Sequence, residues 1–225
     1  MPSLREYATF FREFRSRFET TGAIAPSSRF LAAALLRPLK RRVDDRPVRI
    51  LEIGPGTGAV TDWLVRQVQP GDILDLVELN ETFADVLRKK FEQDPTYRHI
   101  AERSQVHVVP LQEFEAEEPY DFIISGLPLN NFPASLVDEV FQAYFRLLSP
   151  GGTLSYFEYM YVRSIRKRVG AKQARERLGL IDATMSQFTQ RFRVRRDWIF
   201  VNLPPAWVQH LRKSEEHDSS GDSRN

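Results

Sequence analysis

Eight residues, Leu51-Glu52-Ile53-Gly54-Pro55-Gly56-Thr57-Gly58, carry the most chemistry in this chain. Glycines at alternate positions between a strand-like and a helix-like segment let the backbone turn sharply and approach a ligand with no Cβ in the way. The helix that follows presents unpaired N–H groups at the same place. Glu78 closes the next apolar run, Ile73–Glu78, 20 residues after Gly58. A carboxylate there can accept hydrogen bonds from both hydroxyls of a ribose. Taken alone, the glycine run is only moderately specific, with a tight turn as its bland reading and a solvated strand end as that of Glu78; their joint spacing points to a nucleoside-containing ligand.

A dinucleotide is the first competitor, but the spacing is G-x-G-x-G, not G-x-G-x-x-G, and Glu52 would repel a pyrophosphate. The same carboxylate suits a ligand bearing an ammonium and a sulfonium, as S-adenosylmethionine does. E-x-G-x-G-x-G, Val77-Glu78-Leu79-Asn80 and Leu147-Leu148-Ser149-Pro150-Gly151-Gly152 together resemble class I methyltransferases. That resemblance implies an α/β, Rossmann-like fold, with a mostly parallel seven-stranded sheet, helices on both faces and added N-terminal amphipathic helices. It places Gly54, Gly56, Thr57 and Gly58 along the cofactor, Glu52 at its amino-acid end, and Glu78 and Leu79 at its ribose. The acidic residue that many relatives place after the third strand is absent; Leu111 and Gln112 stand in that region.

The acceptor region follows the fourth strand as Ser125-Gly126-Leu127-Pro128-Leu129-Asn130-Asn131-Phe132-Pro133. Carboxyl ends of central strands face the reacting atoms in such folds. The loop resembles the Asn-Leu-Pro-aromatic loop of amino methyltransferases, whose backbone carbonyl and side chain hold the acceptor amine. Ser125 replaces their Asn or Asp, which disfavours a planar amine and leaves an aliphatic one. Joined to Thr21-Gly22-Ala23-Ile24-Ala25-Pro26-Ser27-Ser28-Arg29, the run is similar to bacterial phospholipid N-methyltransferases, from about Phe10 to Pro205. That family methylates phosphatidylethanolamine, and close relatives methylate ornithine lipids. By this resemblance Ser27, Ser28 and Arg29 sit over the cofactor or the lipid phosphate; helix capping is the alternative for a serine there.

Transfer requires a neutral amine lone pair aligned with the methyl group. A nearby group must therefore hold or take the ammonium proton. Glu158, inside Tyr156-Phe157-Glu158-Tyr159-Met160-Tyr161, is the candidate, with Ser125, Gly126, Leu127 and Tyr159 completing the acceptor site. The aromatics either cage a cationic, partly methylated amine or pack in the core.

The elements that position these groups alternate strand and helix, the pattern of a parallel sheet. Strands are predicted at Val48–Ile53, Ile73–Glu78, Gln105–Val109, Tyr120–Ser125, Thr153–Tyr159 and within Phe192–Leu203, ending before Pro204-Pro205. Helices are predicted at Ala59–Val68 and Glu81–Glu92, then from a capping box at Ser135–Asp138 to about Leu148, with a basic helix-prone stretch at Val162–Leu178. The expected organisation is an N-terminal docking segment 1–46, a catalytic domain 47–212 and a polar tail 213–225.

The formal charge of +2 is unevenly spread. Residues 1–49 hold 11 Lys/Arg against 5 Asp/Glu, residues 50–160 hold 7 against 18, and residues 161–225 hold 14 against 7. Basic ends around an acidic middle suggest an anionic partner at the ends. Leu4, Tyr7, Phe11, Phe14 and Phe18 share one helical face, which lies in a lipid interface or on the protein's own core. Arg37–Arg42 and Arg163–Arg177 are the stronger cationic signals, expected to rim a lipid entrance.

No run reaches the ~18–20 apolar residues of a membrane span. The absence of cysteine and the scattered histidines leave no expected metal site. The expectation is a cytoplasmic enzyme on the inner face of the cell membrane, meeting an anionic surface and an aminolipid, with no nucleic-acid or obligate protein partner. RNA adenine N6-methylation, in the manner of rRNA dimethylases, is the competing activity, and cofactor binding without transfer is the third.

Overall fold

The computed structural model describes residues 28–43, 45–129, 132–160, 172–201 and 205–215. Its centre is a seven-stranded sheet in the order β3-β2-β1-β4-β5-β7-β6. These are β1 Arg49–Ile53, β2 Ile73–Val77, β3 Ser104–His107, β4 Tyr120–Ser125, β5 Leu148–Tyr159, β6 Arg193–Ile199 and β7 Ala206–Arg212. Strands β1 to β5 run parallel, and β7 is antiparallel to both β5 and β6. Sheet order reverses between β1 and β4, which is where a crevice opens beyond the carboxyl ends of an α/β sheet.

Helices cover both faces. On one, α1 (Ser28–Leu35), α2 (Arg37–Lys40), α3 (Thr61–Leu64), α4 (Glu81–Gln93) and α5 (Pro95–Arg98) bury Leu35, Leu39, Leu64, Leu87 and Tyr97 against Ile50, Leu74 and Val208. On the other, α6 (Ala134–Leu147) and α7 (Lys172–Phe192) bury Val140, Phe141, Ile181 and Met185 against Ile123, Leu154 and Tyr156. Within the described residues no helix is long and apolar enough to cross a membrane, and no group of side chains could hold a metal ion.

Several elements differ from their predicted form. The helix after the glycine loop is regular only over Thr61–Leu64; β-branched Val60, Val65 and Val68 around it are stiff at χ1 and propagate a helix poorly. No capping box opens α6. Pro133 is its N-cap without a side-chain bond, and Asp138 accepts from Gln142 Nε2 at 2.6 Å instead of reaching back. Helix α7 continues through Gly179 to Phe192 because Ile181, Met185, Phe188 and Phe192 form a stripe that packs on α6. The final strand lies beyond the proline pair, as β7, and Met160 N donates to Pro205 O at 2.7 Å.

The expected boundaries shift too. Residues 1–27, with the aromatic face and most of the Thr21–Arg29 motif, lie outside the described residues. The rest of the predicted docking segment contributes to the core: Ala32, Ala34, Leu35, Leu36 and Leu39 are all buried. At the other end, the Lys213 ammonium donates to Phe145 O at 2.8 Å and Leu148 O at 2.7 Å, capping the last turn of α6. The remainder of the predicted tail, 216–225, lies outside the described residues.

Candidate active site

The glycine loop leaves β1 under tight constraint. Gly54 N donates to Val77 O at 2.9 Å and Gly126 N donates to Ile53 O at 2.8 Å, tying the ends of β1, β2 and β4 together. Gly54 has φ +66°, and a Cβ there would lie 2.5 Å from Leu127 Cδ2. A Cβ on Gly126 would lie 2.7 Å from Gly54 O. Both positions therefore exclude any side chain, and the two loops cross in contact at the switch point. Behind them Lys90 Nζ and the Tyr97 hydroxyl meet the Asp62 carboxylate, at 2.7 and 2.5 Å, bracing the turn from α4 and α5.

Glu78 is buried at the end of β2. Its Oε2 accepts from Gly56 N at 2.9 Å and its Oε1 from Asn80 N at 3.0 Å, which fixes the carboxylate plane. A carboxylate held this way at the pocket wall is the kind of acceptor that ribose hydroxyls would donate to. Next to it a slot is lined by Gly54, Leu79, Val109, Leu111, Leu127 and Val140, with Gln112 at its edge. Flat apolar walls beside a fixed carboxylate suit an adenosine. Glu52, buried one strand over, adds a second negative group for the sulfonium and ammonium of S-adenosylmethionine.

Of the residues proposed from sequence, Gly54, Glu78, Leu79, Leu111, Gln112 and Leu127 line this one pocket. Gly56 and Gly58 form the turn beside it with φ of +63° and +95°, and Thr57 stands exposed at its tip. Ser28 opens α1, but its side chain lies outside the described residues, and so does Ser27. Arg29 is exposed, its guanidinium 4.7 Å from the centre of the Phe30 ring. Val109, Leu136 and Val140 also line the pocket and carried no signal beyond ordinary core periodicity.

The acceptor side needs more correction. Ser125 is fully buried: its Oγ shares a hydrogen bond with the Tyr144 hydroxyl at 2.5 Å and accepts from Leu127 N at 3.2 Å. Its side chain thus braces the loop and α6 instead of facing an acceptor. Among the described residues the aromatic run does not cage Glu158 either. Alternation along β5 sends Phe157 and Tyr159 to the α1 face, where they meet edge-on at 5.1 Å, while Tyr156 packs on Phe141 across the sheet. Burial raises the Tyr159 phenol well above its ordinary range, so it is no proton acceptor.

Glu158 keeps a different neighbourhood. It is buried, Gln209 Nε2 donates to its Oε1 at 3.3 Å, and its partner across β7 is Trp207. Since Tyr156 pairs with Ser125, Glu158 stands two residues further toward the carboxyl end, beside the Gly126–Pro128 loop.

Of the predicted basic rim, the side chains of Arg163–Arg177 lie outside the described residues, and Arg37–Arg42 stands apart from the cofactor pocket. Arg37, Arg41, Arg42 and Arg46 line a groove with Asp121, Thr153 and Arg212, at the amino ends of the parallel strands. That is the opposite end of the sheet from the cofactor pocket. Much of the charge there is paired, Arg42 with Asp72 at 3.0 Å and Arg46 with Asp121 at 2.6 Å.

Comparison with known proteins agrees with this geometry. Residues 50–152 match the family described as a methyltransferase domain. An ornithine lipid N-methyltransferase from Singulisphaera acidiphila is 25% identical over 73% of this chain and 85% of its own. A ribosomal RNA small subunit methyltransferase A from Parasynechococcus marenigrum is 33% identical, over 45% of this chain and 30% of its own. Among solved structures, the N-methyltransferase NodS from Bradyrhizobium japonicum, bound to S-adenosylhomocysteine, superposes with a TM-score of 0.59 at 17% identity, covering 84% of this chain and 88% of its own. An O-methyltransferase from Bacillus cereus with the same ligand gives 0.60 at 19%, covering 95% and 93%.

Proposed function

We propose that this chain, a class I S-adenosylmethionine-dependent methyltransferase, transfers methyl groups to the primary amine of a membrane aminolipid, phosphatidylethanolamine or an ornithine lipid. The observation that carries the reading is the exit of β4. With the Ser125 hydroxyl held by Tyr144, the Gly126–Pro128 loop offers backbone groups and no side-chain amide for the edge of a planar base. The buried acid at this end of β5, Glu158, matches an ammonium.

Bound S-adenosylmethionine supplies an already activated methyl group, so the chain's own work is positioning and proton handling. Glu78 and Glu52 hold the ribose and the cationic amino-acid end. Leu79, Leu111 and Leu127 exclude water around the base. Glu158, steadied by Gln209, holds the acceptor ammonium and receives the proton that nitrogen must shed before its lone pair is free. The similarity to an ornithine lipid N-methyltransferase along most of both chains supports the lipid acceptor. On this reading the enzyme works peripherally on an anionic membrane face.

Incubation with labelled S-adenosylmethionine and vesicles containing either aminolipid tests the reading. Label in the organic phase is expected. Label confined to RNA offered in parallel would replace the aminolipid with an adenine acceptor and leave the cofactor assignment intact.

A further inference from the structure

The β6–β7 hairpin exposes large apolar side chains at its tip. Trp198 is 54% exposed, and Phe200 and Val201 are each 63% exposed. Trp198 and Phe200 stack on each other with centroids 6.0 Å apart, and Trp198 meets Trp207 edge-on at 5.4 Å. These contacts hold the aromatic tip in one shape, yet they leave its outer surface in water.

The strand register fixes which way this tip points. Ala206 pairs with Tyr159 on one side and Ile199 on the other, so the tip lies beyond the carboxyl end of β5. This is the end that bears Glu158, the glycine loop and the cofactor pocket. Helix α1 contributes to the same end. It runs from Ser28 toward Arg37, which lines the groove at the amino end, so Phe30, 42% exposed beneath the Arg29 guanidinium, lies toward the carboxyl side.

Charge along the edge strand is one-sided. Arg193 and Arg195 are exposed and Arg196 is partly so, its guanidinium 4.9 Å from the centre of the Trp207 ring. The strand's acid, Asp197, is buried and held by Arg37 and Arg195, each at 2.7 Å. Arg196, two residues before Trp198, is thus the arginine next to the Trp, Phe and Val of the tip, while Arg193 and Arg195 stand toward the amino end of the strand. An anionic bilayer presents the matching order, phosphates outside and acyl chains within. Indole and phenyl rings settle at headgroup level, while arginine stems lie along the boundary with their charge on phosphate.

We propose that the β6–β7 tip, Trp198, Phe200 and Val201 with Arg196 beside them, is the surface by which this enzyme docks on an anionic lipid membrane. The proposal rests on the aminolipid reading and names the part of the chain that delivers the site to its acceptor. It also sets an orientation: the tip turns the cofactor end toward the bilayer, whereas the Arg37–Arg46 groove would turn it away.

Vesicles of phosphatidylglycerol and phosphatidylcholine test the docking without testing the acceptor, because neither lipid has a primary amine. In full-length Trp63→Phe protein, brominated acyl chains should quench and blue-shift the tryptophan emission. Trp198→Ala combined with Phe200→Ala should weaken vesicle flotation by about tenfold or more. Arg196→Gln should weaken it by about fivefold at low ionic strength and less in high salt. S-adenosylhomocysteine affinity, measured on each variant, should match the parent and so report an intact fold. Unquenched emission from vesicle-bound protein, or equal flotation of the aromatic double variant, would overturn the docking surface. Methyl transfer to aminolipid in detergent micelles judges the acceptor separately.

Discussion

Ser125 and Tyr144 share a hydrogen bond of 2.5 Å between their hydroxyl oxygens, both fully buried, at the point where β4 hands the chain to the Gly126–Pro128 loop. Burial raises the Tyr144 phenol above its ordinary range, so the tyrosine stays a neutral donor or acceptor at any working pH. Ser125→Ala and Tyr144→Phe should each lower stability by about 1–3 kcal/mol, since each leaves a buried hydroxyl unmatched. The double variant should cost less than the sum of the two. Denaturant melts of the four proteins measure this coupling, and cofactor affinity should change little in any of them.

Glu78 should behave differently. Its carboxylate holds Gly56 N and Asn80 N and lines the pocket, so Glu78→Gln removes charged hydrogen bonds worth about 1.5–3 kcal/mol. Calorimetry should show S-adenosylhomocysteine binding roughly 10- to 100-fold weaker. Gly54→Ala should also weaken binding, because its φ of +66° and the 2.5 Å approach to Leu127 leave no place for a methyl group.

The sequence made the cofactor half of this site readable. Gly54, Gly56, Gly58 and Glu78 act through backbone conformation and strand position, both of which follow from local spacing. The acceptor half depends on which face of the sheet a side chain takes. Ser125 read as a contact residue, because only the packing of α6 reveals that Tyr144 waits for its hydroxyl. The Tyr156–Tyr161 run read as one cluster, while strand alternation sends Tyr156 to one core and Phe157 and Tyr159 to the other. Strand β7 was hidden by the proline pair ahead of it, and with it went the neighbours of Glu158. The placement of Arg37–Arg46 at the far end of the sheet is equally tertiary information, since a charge run carries no direction.

His210 gives the fold a pH limit. It is buried between Ser155 Oγ at 2.8 Å and the Asp197 carboxylate at 3.3 Å, with Arg195 and Arg37 beyond. Burial holds its pKa below the usual 6.5, against the pull of Asp197. The unfolded chain thus takes up a proton near 6.5 that the folded chain refuses. Stability should be complete above that pH and decline as the pH falls below it. Burial also works against the Asp197 charge, but Arg195, His210 and Arg37 outweigh it and hold that carboxyl below 3.8, which adds a further loss in stronger acid. Thermal melts from pH 8 to pH 4 should show the decline, and His210→Gln should flatten its first part.

Glu158→Gln should separate acceptor chemistry from cofactor binding. Affinity for S-adenosylhomocysteine should stay near the parent value, while kcat/KM for the aminolipid falls by about 10²- to 10⁴-fold. Raising the pH should recover part of the loss, because a larger fraction of the amine is then neutral without help. Steady-state rates across pH check both statements.

The most direct test of the aminolipid assignment is a competition in one vessel. Vesicles carrying phosphatidylethanolamine and ornithine lipid, together with protein-free RNA, share a limiting supply of labelled S-adenosylmethionine. Mass spectrometry then locates every transferred methyl group. One to three added methyls on a lipid head-group nitrogen are expected, with none on either lipid when Gly54→Ala protein replaces the parent. Methylated adenine with unmodified lipids would contradict it.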